Sequence, residues 1–205
     1  MLLFAILVSL FFAVAVSIVI AIGFIPPNKP SLGMSMFKLF SNIRALALSE
    51  PDKLSSKAQA PFFRDALSTD VLKSELSPSQ LQYAIFNYLP DWVTKLMSLR
   101  NKLVSVFGFE VGQNNMAPKS AELEIGDQAG FLTVIEKYPD EIISYADDKH
   151  MTFYLSVKKQ ENTVIVSTLV NQKTWIGRIY VNAILPFHYF IARTVINNAI
   201  KAKRI

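Results

Sequence analysis

The chain has 205 residues, 51% of them hydrophobic and only 18% charged, with a net charge of +5. A soluble domain usually carries about 25% charged residues, so this composition and the mean hydropathy of +0.30 place part of the chain away from water and exclude a disordered polyelectrolyte. The absence of cysteine excludes disulfides, thiolate nucleophiles and Cys-based zinc or iron–sulfur sites, and two histidines are too few for a His-based metal cage.

Leu2 to Ile25 is apolar apart from Ser9, Ser17 and Gly23, and Pro26-Pro27 ends it. As a helix this run is about 36 Å long, enough to cross a hydrocarbon core of about 30 Å. No basic residue precedes it and no small-x-small cleavage site follows it. The run therefore reads as an uncleaved anchor over residues 1–27 rather than a signal peptide. Lys29, Lys38 and Arg44 follow with no acid among them, which predicts a cytoplasmic domain and an external N-terminal tail. The rest of the chain is nearly balanced in charge and gives no electrostatic case for a nucleic-acid partner.

Residues 28–60 read as a juxtamembrane segment and linker. Met36, Leu39, Phe40, Ile43 and Ala47 recur at helical spacing, consistent with an amphipathic helix over 34–48 that lies on lipid or packs on the domain. Ser49 to Pro61 is polar and reads as the linker.

The domain proper is expected over 61–205. A short strand is predicted at 60–67. Ser77-Pro78-Ser79-Gln80 signals a capped helix start, with Leu81, Ala84, Ile85 and Tyr88 on one face. Pro90 opens a second helix whose stripe is Trp92, Leu96, Leu99, Leu103 and Val106, closed by Gly108. A polar stretch with a loop at Gly112 to Asn115 follows. Strands are then predicted at 131–137, 141–145, 151–158 and 163–170, joined by short turns, which implies an antiparallel meander. In the third of these, Met151, Phe153, Leu155 and Val157 share one face. The chain ends in a long helix over 174–203. Its wide apolar face includes Ile176, Ile179, Tyr180, Ile184, Phe187 and Ile191, and Pro186 should kink it. The class is α+β, with one N-terminal transmembrane helix.

That order resembles the helix-grip fold of START-like and birch-pollen-allergen-like proteins, in which an antiparallel sheet wraps a long C-terminal helix around an apolar cavity. Several motifs also resemble a functionally uncharacterised bacterial domain family sometimes found behind short-chain dehydrogenase-like modules. They are Pro90-x-Trp92, Leu96-Met97-x-Leu99-Arg100-Asn101, Gly126-Asp127, Asp147-Asp148-Lys149-His150, Gly177-Arg178-x-Tyr180 and Pro186-Phe187-His188. The dehydrogenase module itself is missing, since there is no strand–GxGxxG–helix unit, and no cofactor is implied. A bacterial family resemblance behind the apolar run at 1–27 leads to the expectation of a single-pass protein of the bacterial inner membrane.

No nucleophile elbow, phosphate loop, HExxH or paired-carboxylate signature appears. Asp148 and His150 are the candidate acid/base pair, against the simpler role of a turn in which aspartate binds nearby backbone N–H groups. Arg178 is a candidate anchor for an anionic group, or the partner of Asp127 or Asp148. Gly177 beside it implies close backbone approach. His188, Phe153, Phe187 and Tyr180 complete the expected lining of a ligand site. Three functions follow: binding of a hydrophobic or lipid-like molecule under the last helix, a scaffold with a filled core, or an acid/base enzyme. The partners expected are the bilayer and the apolar ligand.

Overall fold

The computed structural model describes residues 40–47, 52–105, 108 and 117–205. The predicted anchor, the segment 28–39 and the loop at Gly112 to Asn115 lie outside them. Seven strands form one antiparallel sheet: β1 (Arg44–Ala45), β2 (Phe62–Asp70), β3 (Gln128–Ala129), β4 (Leu132–Lys137), β5 (Glu141–Asp147), β6 (Met151–Gln160) and β7 (Thr163–Gln172). Their spatial order is β1-β2-β7-β6-β5-β4-β3. Helices α1 (Pro78–Phe86) and α2 (Asp91–Ser105) lie between β2 and β3 in sequence, and α3 (Trp175–Lys201) ends the chain.

The meander forms because β-branched, alternating segments are joined by turns too short for anything but antiparallel pairing. β6 pairs with β7 from Met151↔Gln172 to Gln160↔Thr163, and β2 closes the far side from Phe62↔Asn171 to Asp70↔Thr163. This register puts Phe63, Asp65 and Leu67 on the same face as Phe153, Leu155, Val157, Val166 and Val170. We call it the inner face, because α1 and α3 pack there. Leu81 and Ile85 of α1 and Val195, Ile196 and Ala199 of α3 close the main core with Ile142, Leu155 and Val157. The start of α1 follows its sequence signal. Ser77 Oγ accepts from Gln80 N at 3.2 Å, and the Gln80 side chain accepts from Ser77 N at 2.9 Å.

Three expectations are corrected. Residues 43–47 are not helical. Arg44 and Ala45 pair with Ser68 and Leu67 on the open edge of β2, while Phe40 and Ile43 sink into the main core. Filling an unpaired ladder edge and burying two large apolar side chains outweighs an interfacial helix at this position. The supposed linker is also part of the fold. Leu54 is fully buried on the outer face of the sheet against Ile143 and Leu169. Asn171 Nδ2 donates to Lys57 O at 2.9 Å and Asn171 Oδ1 accepts from Gln59 N at 3.0 Å, fixing the segment to β7. Finally, α1 stops at Phe86, so Tyr88 is exposed rather than on its apolar face; the Arg204 guanidinium lies over its ring.

Candidate functional site

The inner face is closed unevenly. Toward the C-terminal half of α3 the core is sealed. Over the first half, Val170, Tyr180 and Val181 form a small buried cluster, and Phe63, Met151, Phe153, Ile176, Ile184 and Leu185 pack around it partly buried. Six partly buried large apolar side chains at one place make an apolar floor.

Two polar pairs stand at this floor. His188 Nε2 lies 3.1 Å from Asp65 Oδ2, and the Phe63 ring meets the imidazole edge-on at 5.5 Å. The two side chains are 23% and 26% exposed, so a small molecule can reach them. Arg100 Nε of α2 donates to Tyr180 Oη at 2.6 Å, and Arg100 Nη1 donates to Asn101 Oδ1 at 2.7 Å. Tyr180 is thereby fixed with its ring against the floor and its hydroxyl bound to a cation.

The Asp147-Asp148-Lys149-His150 turn does a different job. Asp148 Oδ1 accepts from the backbone N of His150 at 2.6 Å. The buried His150 ring meets Thr174 Oγ1 through Nδ1 at 2.9 Å. Thr174 is the N-cap of α3 and accepts from Gly177 N at 3.2 Å. Lys173 N donates to His150 O at 2.9 Å. The turn thus seats the first turn of α3 on the β5–β6 end of the sheet. Asp147 accepts from Lys173 Nζ and from Thr152 Oγ1 at 2.6 Å, and these bonds, the lysine's first, hold its carboxyl below the usual carboxylate range. A depressed folded value stabilises the fold above the unfolded pKa and is lost as pH falls through the folded one. Asp147→Asn should therefore lower stability at pH 7 by under about 1 kcal/mol, since the pair is half-exposed, with the gap to the parent closing as pH falls below the ordinary aspartate value of about 3.9. Urea midpoints at pH 7 and at acid pH measure it.

A family model for proteins of unknown function, DUF2867, matches residues 58–195. The chain belongs to this DUF2867 family. Its likeness to a crystal structure of a protein from Rhodobacter sphaeroides is distant: 14% identity, 78% of this chain and 99% of that chain covered, and a TM-score of 0.34. A score of that size carries no argument about fold or function. No curated protein matches the chain.

The DUF2867 domain brings some of the predicted residues together and separates others. Phe153, Tyr180, Phe187 and His188 all lie at or beside the floor, with Phe187 buried against Leu96 of α2. His150 is placed elsewhere, under the N-terminus of α3, and the Asp148 carboxylate binds its backbone rather than orienting its ring. Arg178 is exposed, and so is Ile179 at 41%. Both were expected inside because α3 carries apolar residues on more than one face, which hides from the sequence which face turns inward. Asp127 accepts from Glu124 N at 2.8 Å and lies in the β3 approach, not beside Arg178. Asp65 was not legible as a site residue, because its partner lies 123 positions away, and the Arg100-Asn101 motif gave no sign of Tyr180, 80 positions on. The described residues form no group of three His, Asp or Glu suited to a metal ion. A depression of about 320 Å³ lies at the sheet edge, lined by Arg44, Leu46, Ser68, Gln160, Glu161, Thr163 and Ile165, and not under α3.

Proposed function

We propose that this DUF2867 domain is held at the inner membrane by its N-terminal apolar segment, faces the cytoplasm, and binds a hydrophobic or lipid-like small molecule between the sheet and the first half of α3. The observation that carries the reading is the half-buried apolar floor, next to which His188–Asp65 and Arg100–Tyr180 offer polar groups for one end of the ligand. The sheet with a long C-terminal helix on its inner face supports the likeness to helix-grip proteins. His188 replaces Arg178 and His150 as the proposed orienting residue, because it is reachable and beside Phe63 and Leu185.

A scaffold role is the second reading, favoured by the sealed main core. The two are separated by native mass spectrometry of the full chain released from detergent. The ligand reading expects an apolar molecule that co-purifies and is lost when Ile184→Trp fills the floor. A clean apo mass, unchanged after incubation with membrane lipid extract, would establish the scaffold reading instead.

A further inference from the structure

The outward face of α3 is unusual for a helix at a protein surface. Trp175, Arg178, Ile179, Asn182, Pro186 and Tyr189 are all exposed. At 100° per residue they fall on one stripe, about 21 Å long. A helix packed on a sheet is expected to turn charged and polar residues outward. This stripe instead offers tryptophan, isoleucine, proline and tyrosine, with Trp175 58% exposed and Tyr189 48%. Trp and Tyr are the residues enriched at membrane–water interfaces. Charge points the same way. α3 contains no Asp or Glu along its whole length, while exposed Arg178 lies in the stripe. Lys149 is exposed in the turn that holds the helix N-terminus, where the acids nearby, Asp147 and Asp148, are already bonded to Lys173 and to the His150 backbone.

The tether enters the fold beside the same helix. Fourteen residues separate Ile25, the end of the apolar run, from Phe40. Fully extended they reach about 50 Å, so an anchored chain keeps the domain that close to the bilayer. Phe40 is buried in the main core beside α3, with its ring edge-on to Phe190 at 5.8 Å. Phe190 is the neighbour of exposed Tyr189.

We infer that the outward stripe of α3 docks on the anionic surface of the bilayer, so that lipid contact belongs to this helix and not to residues 40–47. The inference rests on the anchored reading for its geometry. Docking would set the half-open floor on the opposite side of the same helix turns close to the headgroups. It concerns the surface of the domain and not the ligand.

The chain has no cysteine, so Asn182→Cys, at the middle of the stripe, gives a unique site for a nitroxide label. The full chain carrying it is reconstituted into vesicles of zwitterionic lipid with and without 30% anionic lipid, a fraction of about physiological order. Docking expects the label in anionic vesicles to collide with dissolved oxygen more than with an aqueous nickel chelate, with the reverse at Glu75→Cys on the exposed loop after β2. Arg178→Glu and Lys149→Glu should each weaken the docked fraction about fivefold, as should high salt. A label on the Asn182→Cys chain that stays open to the nickel chelate overturns the proposal. So does one shielded from both reagents, which would mean a protein or a second copy covers the stripe. Alkaline extraction of the same vesicles tests the anchor separately. A chain that extracts yet shows oxygen-exposed label on added anionic vesicles loses the anchor and keeps the docking; a chain that resists extraction with a water-exposed label does the opposite.

Discussion

Gly177→Ala is expected to cost the domain about 3 kcal/mol or more, and to lower the melting temperature by about 6–12 °C. Glycine inside a helix is ordinarily a weakness, so alanine there should gain about 1 kcal/mol from propensity alone. The surroundings reverse the sign. A Cβ at position 177 would stand 2.3 Å from the carbonyl oxygen of His150 and 3.2 Å from its carbonyl carbon. The obstacle is backbone, not the end of a flexible side chain, and it is held in place because that oxygen accepts from Lys173 N at 2.9 Å. Relief would require α3 to lift from the β5–β6 turn, which would strain the contact of His150 with Thr174 and the N-cap bond from Gly177 N. Overpacking of this kind costs more than the propensity gain returns. Asn182→Ala, five residues on and exposed, is the control and should stay within about 0.5 kcal/mol of the parent. Equal melting temperatures for the two variants would remove the role assigned to the helix seat.

The same glycine marks how far the sequence could be read. A glycine in an otherwise apolar helix announced that some backbone comes close. It could not announce which, since His150 is 27 positions earlier. The strands from Leu132 to Gln172 were legible because both the side-chain alternation and the short turns are local. The long helix was legible as a helix, but its orientation was not. Trp175, Ile179 and Tyr189 are as apolar as Tyr180, Val181 and Phe187, and only the packed structure separates the outward set from the inward one. The His188–Asp65 pair was half visible, as a histidine in a Pro-Phe-His motif with no partner in reach. Its aspartate sits on β2, brought alongside by the long-range pairing of β2 with β7. Local pattern reports elements; partnerships across 80 or 120 positions are set by topology, which one sequence encodes only collectively.

The segment before β2 shows the opposite failure, in which composition pointed the wrong way. Ser-Glu-Pro-Asp-Lys-Leu-Ser-Ser-Lys-Ala-Gln-Ala-Pro has the polarity of a solvated tether, and its one large apolar residue is Leu54. That residue is fully buried, and so are Ile143 and Leu169 beneath it. The polar residues around it are spent on the sheet as well. Lys57 pairs with Glu136, Arg64 reaches back to Asp52, and Lys53 Nζ lies 3.1 Å from buried Glu141. Glu141 in turn accepts from Ser156 Oγ at 2.6 Å. The outer face of a sheet in an α+β domain can face water, but here two central strands carry Ile143 and Leu169 outward and need a cover. Leu54→Ala should therefore cost about 2–4 kcal/mol, the range for truncating a fully buried leucine that leaves a cavity. Leu54→Met, which keeps the volume, should cost under about 1.5 kcal/mol. A free tether predicts no change beyond about 0.5 kcal/mol for either variant. Denaturant midpoints of the full chain decide between them, and a cost above about 2 kcal/mol for the alanine alone would show that the fold begins well before residue 61, so that trimming the chain to 61–205 would remove part of its packed structure.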